Sequence, residues 1–260
     1  MRSPRISIVV CSYNQAPFIR ETLESLINQQ NVARDELEVI VIDGASSDGS
    51  VEIIESYKDK FRYFVSEPDR GQTHALNKGF ALATGDVLGW LCTDDLLQPD
   101  AVRFVLDYFR EHPEVDFISG DVKLIGRNGE VLKTRKEIPF NWFIWAYGEH
   151  NYIQQPSAFW RRSLHEQVNG LDEAFNLDMD GDLWARFAER TRGRHVSRVL
   201  SSVRTYPETK SRQMRERAIE EHRTICRRYG IDHSRNYTRA LKLAARICRV
   251  GWKAASGCYW

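Results

Sequence analysis

Four short runs of the chain are almost continuously apolar and end in turn residues: ISIVVCS (6–12), LEVIVID (37–43), FRYFVSE (61–67) and DVLGWLC (86–92). Runs of this length without polar alternation predict strands buried on both faces. Between them the spacing becomes helical. In PFIRETLESLINQQ (17–30), Ile19, Leu23, Leu26 and Ile27 share one face, and Pro17 stands at a first helical position. SDGSVEIIESYKDK (47–60) and QTHALNKGFALATG (72–85) follow the same logic, the second with Gly85 as its stop. Strand alternating with helix four times predicts right-handed crossovers and an α/β fold with a mostly parallel sheet.

After Asp95 the rhythm changes. PDAVRFVLDYFREHP (99–113) predicts a helix, VDFISGD (115–121) a strand, and VKLIGRNGEVLK (122–133) a hairpin turning at Asn128-Gly129. An aromatic stretch, PFNWFIWAYGEHNY (139–152), precedes QQPSAFWRR, a helix around DGDLWARFAER (180–190) and a strand near HVSRVLSSVRTY (195–206). From Ser211 to Gly230 the pattern is helical, with Met214, Ala218, Ile219, His222, Ile225, Cys226 and Tyr229 as its stripe, and 234–260 predicts a second helix.

The chain has 260 residues, 42% hydrophobic and 28% charged, which suits a soluble α/β domain with an appendage. The net charge of +1 conceals an asymmetry, since residues 234–260 hold six Lys or Arg and no Asp or Glu. Five scattered cysteines without a C-x-x-C spacing favour reduced thiols and a cytoplasmic protein. The N-terminus does not read as a signal peptide, and no apolar run is long enough to span a bilayer. Nucleic-acid binding is not expected, because the basic charge is confined to the tail and no recognition motif accompanies it.

Candidate chemistry gathers at strand ends, where open α/β sheets bind ligands. Tyr13, in CSYNQ after the first strand, offers a ring to stack on a flat base. Asp43, closing the second strand, either accepts from a base N–H or ribose hydroxyl, or serves as a cap; Ser46, Ser47 and Asp48 are rival caps that would leave it spare. Asp94-Asp95 closes the fourth strand with two like charges, which repel unless a cation or donors compensate. Mg²⁺ and Mn²⁺ are held by such oxygens together with substrate phosphates; the other reading of the pair is a helix cap.

Together these stretches resemble glycosyltransferase family 2, a group of metal-dependent inverting sugar transferases of GT-A (Rossmann-like) fold. The resemblance covers about residues 5–205: ISIVVCSYNQ, LEVIVIDGASSDGS, THALNKGFALATGDVLGWLCTDD and GLDEAF…DMDGDLWARFAER stand in the family's order. It implies a glycosyltransferase domain at 1–205, with nucleotide-sugar binding in about 1–98 and the acceptor side in about 115–205, followed by C-terminal helices at 206–260. The donor implied is a nucleoside-diphosphate sugar, expected to be UDP-linked, and the acceptor a glycan or lipid-linked glycan. By the same resemblance Tyr13 and Asp43 contact the base, Asp94 touches ribose or a metal-bound water, Asp95 ligates a divalent Mn²⁺ or Mg²⁺, and Asp180 is the general base. Three positions depart from the pattern: Thr93 opens the D-x-D, Met179 replaces the Glu before Asp180, and Leu76 replaces an Arg. A cationic contact to the diphosphate must therefore come from Arg70, Lys78 or Lys210, with Arg70 ranked first. Asp182, Trp142, His150 and Gln155 are the acceptor-side candidates, with Asp182 a supporting or helix-starting residue, and core packing is the commoner fate of such a tryptophan.

On a helix, Arg239, Lys242, Arg246, Arg249 and Lys253 form one basic stripe. Such a helix either lies on the inner face of a membrane, with its cations on anionic lipid, or docks on its own domain or a second copy. The rival functions are a nucleotidyltransferase, disfavoured by the lack of a Gly-rich phosphate loop, and a non-catalytic nucleotide-sugar-binding scaffold.

Overall fold

Alternate residues of the first strand, β1 (Ile6–Ser12), belong to two different cores. Ile6, Ile8 and Val10 pack on one side of the sheet and Val9 and Cys11 on the other, all of them buried. This division by parity is why the run shows no polar alternation. The computed structural model describes residues 4–148, 151–235 and 237–257. Within them the chain continues through α1 (Ala16–Ile27), β2 (Leu37–Asp43), α2 (Ser50–Glu55), β3 (Tyr63–Ser66), α3 (Gln72–Leu82), β4 (Val87–Cys92), β5 (Leu96–Leu97) and α4 (Ala101–Glu111). The second part comprises β6 (Phe117–Ile125), β7 (Val131–Arg135), α5 (Trp142–Tyr147), β8 (Ala158–Arg161), α6 (Arg162–Gln167), α7 (Met179–Ala188) and β9 (Arg194–Arg204). Three helices follow: α8 (Lys210–Gln213), α9 (Arg215–Arg228) and α10 (Thr238–Ala255).

One sheet runs β3-β2-β1-β4-β8-β6-β9-β5, with β7 paired to β6. Its first four strands are all parallel, as the strand–helix alternation predicts. β8 joins antiparallel to both β4 and β6, so the second half of the sheet is mixed. Leu23 and Leu26 of α1 and Val102, Val105 and Leu106 of α4 fill one face, while Leu76 and Phe80 of α3 and Leu183 and Trp184 of α7 fill the other. The second core is aromatic: Trp90 stacks on Trp184 at 5.9 Å and meets Trp160 edge-on at 5.6 Å.

Two local expectations are revised. Gly85 does not stop α3, which ends at Leu82 with Ala83 already extended. Gly85 is instead a point of close approach, since a Cβ there would lie 2.6 Å from the Ser7 nitrogen. The helix expected from Ser211 to Gly230 breaks at Met214 into α8 and α9, and His222, Ile225 and Cys226 are its buried members.

Helix α10 docks through charge. Glu137, 1% exposed, accepts from Arg135 Nε at 2.7 Å and Arg249 Nη2 at 2.6 Å, and pairs with Lys253 Nζ at 3.0 Å. Burial opposes its charge, but Arg249 and Arg135 outweigh that and hold the carboxyl below its ordinary range. Glu137→Ala should therefore lower unfolding free energy by about 3 kcal/mol, the low end for a broken buried pair because the cations keep some water. Because the folded value is depressed, this stabilisation is present above the unfolded Glu value of about 4.3 and lost as pH falls through the folded one. Urea titrations of both proteins at neutral and acid pH measure the gap, which should close in acid.

Candidate active site

From β1 the chain steps to β2 and β3 on one side, then crosses to β4 on the other. The crevice beyond the carboxyl ends of β1 and β4 is thus the switch point of the sheet, where open α/β folds bind ligands. A cavity of about 680 Å³ lies there, with Ser12 closing β1 and Tyr13 following it, Thr93 and Asp94 after β4, and Tyr206 and Lys210 also in its lining. The division expected at residue 205 therefore crosses the cavity wall: residues 206–214 help to build the site. At the floor, Cys11 and Cys92 are register partners, and Gln72 Nε2 donates to both sulfurs, at 3.6 and 3.3 Å.

Tyr13 lines the cavity and is 63% exposed. Asp43 is not spare. It is fully buried and off the cavity lining, with Oδ2 accepting from Ser46 N at 2.8 Å and Ser66 Oγ at 2.7 Å, and Oδ1 from Ser46 Oγ at 2.6 Å. Asp48 holds the start of α1, accepting from Ala16 N at 2.9 Å, so the two carboxylates divide the turn chemistry and Asp43 anchors the loop. The carboxylate lining this wall is Asp69, in the turn after β3. A Cβ on Gly44 would stand 2.7 Å from Asp69 Oδ2 and 3.3 Å from the Tyr13 ring, which brings ring and acid together. The strand-end logic applied to strands one, two and four would have found Asp69 in SEPDRG after the third.

Asp94 lines the cavity and accepts from Tyr206 Oη at 3.1 Å. Asp95 lies deeper, 7% exposed, with Oδ1 accepting from Arg204 N at 2.9 Å. Burial pushes the Asp94 carboxyl up; burial and the charge of Asp94 push Asp95 well up. The adjacent guanidinium does not neutralise them by pairing, because Arg204 spends its donors on the carbonyls of Asp94 and Arg127, at 3.0 and 2.8 Å, and on Glu21 at 2.6 Å. The charge of Arg204 still pulls both carboxyls part of the way back; among the described residues no third acid, His or Cys joins the pair, so a hard divalent cation here would need ligand oxygens to complete its shell. Ser12 Oγ, buried in the same wall, has no hydrogen-bond partner among the described residues.

Of the three cations considered for a diphosphate, Lys210 is the one lining the cavity, donating to Gln72 Oε1 at 3.0 Å and the Asn176 carbonyl at 2.7 Å. Arg70 points away, 70% exposed and paired with Glu173 at 2.7 Å, and Lys78 pairs with Glu67. Arg70, ranked first from the sequence, is thus not among the residues lining the cavity, and Lys210 is.

Asp180 opens α7. Its oxygens accept from Asn151 Nδ2 at 2.7 Å and Gly181 N at 2.9 Å, and burial, with the charge of Asp178, pushes its carboxyl up to about 7. Behind it, Glu221 Oε2 accepts from the backbone of Asn176, Leu177 and Asp178 at 3.1, 2.8 and 3.1 Å, while His222 Nδ1 meets Asp178 Oδ2 at 2.8 Å. Helix α9 thus holds the loop that carries Asp180, a support not anticipated from sequence; Asp180 itself is not among the residues lining the switch-point cavity. Met179 is apolar because it is in the core, 6% exposed. Asp182 is structural: its side chain is 1% exposed and paired with Arg186 at 2.6 Å and Arg228 at 3.4 Å.

Trp142 also leaves the acceptor side. It meets Trp145 edge-on at 5.3 Å and Tyr229 at 4.8 Å, as part of the aromatic packing. Gln155 braces the floor, donating to the Trp90 carbonyl at 2.6 Å with Cys92 Sγ at 3.7 Å. His150 lies outside the described residues.

Known proteins agree with this architecture. The chain is 27% identical over 207 residues to the chondroitin synthase of Escherichia coli, a match covering 76% of this chain but only 28% of that enzyme. It is 29% identical over 189 residues to an uncharacterized glycosyltransferase of Mycobacterium tuberculosis, covering 72% and 70% of the two chains. Among solved structures it superposes on a mannosyltransferase from Pyrobaculum calidifontis in complex with GDP-Man and Mn²⁺, with TM-score 0.69, 20% identity and coverage of 98% and 76%. It also superposes on S. aureus TarS 1–349 in complex with UDP, with TM-score 0.62, 20% identity and coverage of 90% and 74%. These two share the fold with this chain, an α/β sheet of GT-A type. The model of the family described as Glycosyl transferase family 2 matches residues 7–168, more than half of the sequence, and the chain belongs to that family.

Proposed function

We propose that this protein transfers a single sugar from a UDP-linked donor to a hydroxyl of a glycan or lipid-linked glycan, with inversion and with help from a divalent cation. The observation that carries the reading is the switch-point cavity, with the Tyr13 ring and Asp69 on one wall and Asp94 with Lys210 on another. In this scheme Tyr13 stacks on the base and Asp69 accepts its ring N–H. Lys210 faces the diphosphate, and its nitrogen, already oriented by two acceptors, adds positive charge there. Asp94, with Asp95 behind it, would hold Mn²⁺ or Mg²⁺, which when bound supplies charge neutralisation at the departing phosphate. Asp180 takes the proton of the acceptor hydroxyl, a task that suits a carboxyl raised to about 7. One base without a second nucleophile fits a single displacement. TarS with UDP and the mannosyltransferase with GDP-Man and Mn²⁺ lend support by fold alone.

The test is thermal stabilisation by UDP, GDP and dTDP, each with and without Mn²⁺, followed by transfer or hydrolysis of the matching sugar nucleotides. At a hundredfold excess over Kd, UDP with Mn²⁺ should stabilise the fold by about 2.7 kcal/mol, with GDP and dTDP weaker. Stabilisation by UDP with neither hydrolysis nor transfer would leave the non-catalytic scaffold as the better reading. Equal response to all three nucleotides would remove the assignment of the base.

A further inference from the structure

Two thiols stand side by side on the floor of the switch-point cavity. Cys11 and Cys92 are register partners on the adjacent parallel strands β1 and β4, and both line the cavity as free cysteines. Their side chains turn to the same face of the sheet, toward the aromatic core. A single amide nitrogen, Gln72 Nε2, donates to both sulfurs, at 3.6 Å to Cys11 and 3.3 Å to Cys92, so the two point to a common spot. Cys92 in turn donates to Gln155 Oε1 at 3.7 Å. Neighbouring strands lie about 4.7–4.9 Å apart, inside the Cα separation of about 4.4–6.8 Å that a disulfide spans. A cysteine that only fills apolar space needs neither an amide partner nor a place on a cavity wall. This pair has both.

We propose that Cys11 and Cys92 form a reversible disulfide when a peroxide enters the cavity, which makes its floor a site of oxidative modification. The first thiol takes one oxygen of hydrogen peroxide and becomes a sulfenic acid, releasing water. The second thiol attacks that sulfur, the hydroxyl leaves as a second water, and the S–S bond forms. Two S–H bonds are lost, and the two electrons given up by the sulfurs reduce the peroxide. Added dithiol reverses the step by thiol–disulfide exchange. The bridge ties together the strand ends that carry Tyr13 and Asp94. It also changes both sulfur acceptors of Gln72, whose Oε1 orients Lys210. The oxidised protein should therefore bind a nucleotide less tightly, a consequence that rests on the function proposed above, whereas the bridge itself does not.

The test treats the whole folded chain with hydrogen peroxide, blocks the remaining thiols with N-ethylmaleimide and maps the digest by mass spectrometry. The expected product is a cross-linked peptide pair joining Cys11 to Cys92, lighter by two hydrogens than the reduced pair and lost on adding dithiothreitol. Cys11→Ser and Cys92→Ser should each abolish it and leave the other sulfur as a sulfenic acid that dimedone traps. Oxidation that stops at sulfinic acid without this cross-link overturns the proposal. So does recovery of both thiols unchanged, or a cross-link confined to other cysteines such as the exposed Cys248. Oxidised protein should bind UDP with Mn²⁺ about tenfold more weakly than reduced protein, the scale of losing roughly one hydrogen bond to a charged group. A cross-link with UDP affinity unchanged overturns the effect on binding. Failure of the reduced protein to bind UDP overturns the transfer reading instead and leaves the bridge standing.

Discussion

Asp180→Asn should lower the rate of sugar transfer about 10²–10⁴-fold, the range for loss of a positioned general base, while leaving UDP-induced stabilisation intact. The substitution keeps the shape of the side chain and one acceptor oxygen for Asn151 Nδ2 or the Gly181 nitrogen, but it cannot take a proton. The wild-type pH profile should carry the same signature. Below about 7 the Asp180 carboxyl is protonated and cannot accept, so kcat/KM should rise with pH through that value along a one-proton limb. The cause is burial, reinforced by Asp178, whose charge resists a second one beside it. A variant retaining more than about a tenth of the wild-type rate, or a limb lying near the ordinary Asp value of about 3.9, would remove Asp180 from the role.

The second large effect is expected on stability. His222 is 2% exposed, with Nδ1 at 2.8 Å from Asp178 Oδ2 and Nε2 at 3.1 Å from the Trp145 carbonyl. Nδ1 faces a carboxylate and Nε2 a carbonyl, with the Cys226 sulfur also 3.5 Å from Nε2, a setting that favours the imidazolium. Burial works against that charge, but the Asp178 hydrogen bond and charge prevail and push His222 up to about 10. Asp178 itself is raised by burial with His222 pulling it back; the doubly accepted ring argues that the charged pair is the neutral-pH state. His222→Ala should cost about 3–5 kcal/mol, because it strands a buried carboxylate. Since the folded His value is raised, this stabilisation is fully present below the unfolded value of about 6.5 and is lost as pH rises through about 10. Urea titrations at pH 7 and above 10 should show the gap between wild type and variant narrowing; a constant gap would mean a neutral ring. The loss also bears on Asp180, whose loop is held by this pair and by Glu221.

What the sequence disclosed about the site follows from distance along the chain. Tyr13 and Asp94 were legible because each follows a strand that its apolar run delimits, and strand ends converge in a parallel sheet. Asp43 satisfies the same rule, yet it lies off the cavity lining, and nothing in the order of residues says that Ser46 and Ser66 will fill its oxygens. The pairing of Arg70 was hidden for the same reason, its partner Glu173 lying 103 residues away. Lys210, Tyr206 and Glu221 come from a part of the chain read as an appendage, and only folding carries them to the cavity and to the loop of Asp180.

The chain's own pattern determined the four parallel strands, the crossover helices and the two-sided core, because these depend on periods of two and 3.6 residues within one short segment. The tertiary structure alone decided which carboxylates are spent on the protein and which face the cavity. It also decided that α10 turns Arg249 and Lys253 inward to Glu137 and Leu243, Ile247 and Val250 outward. Such choices depend on hydrogen-bond and ion-pair partners from distant segments, and no local periodicity encodes where those will meet.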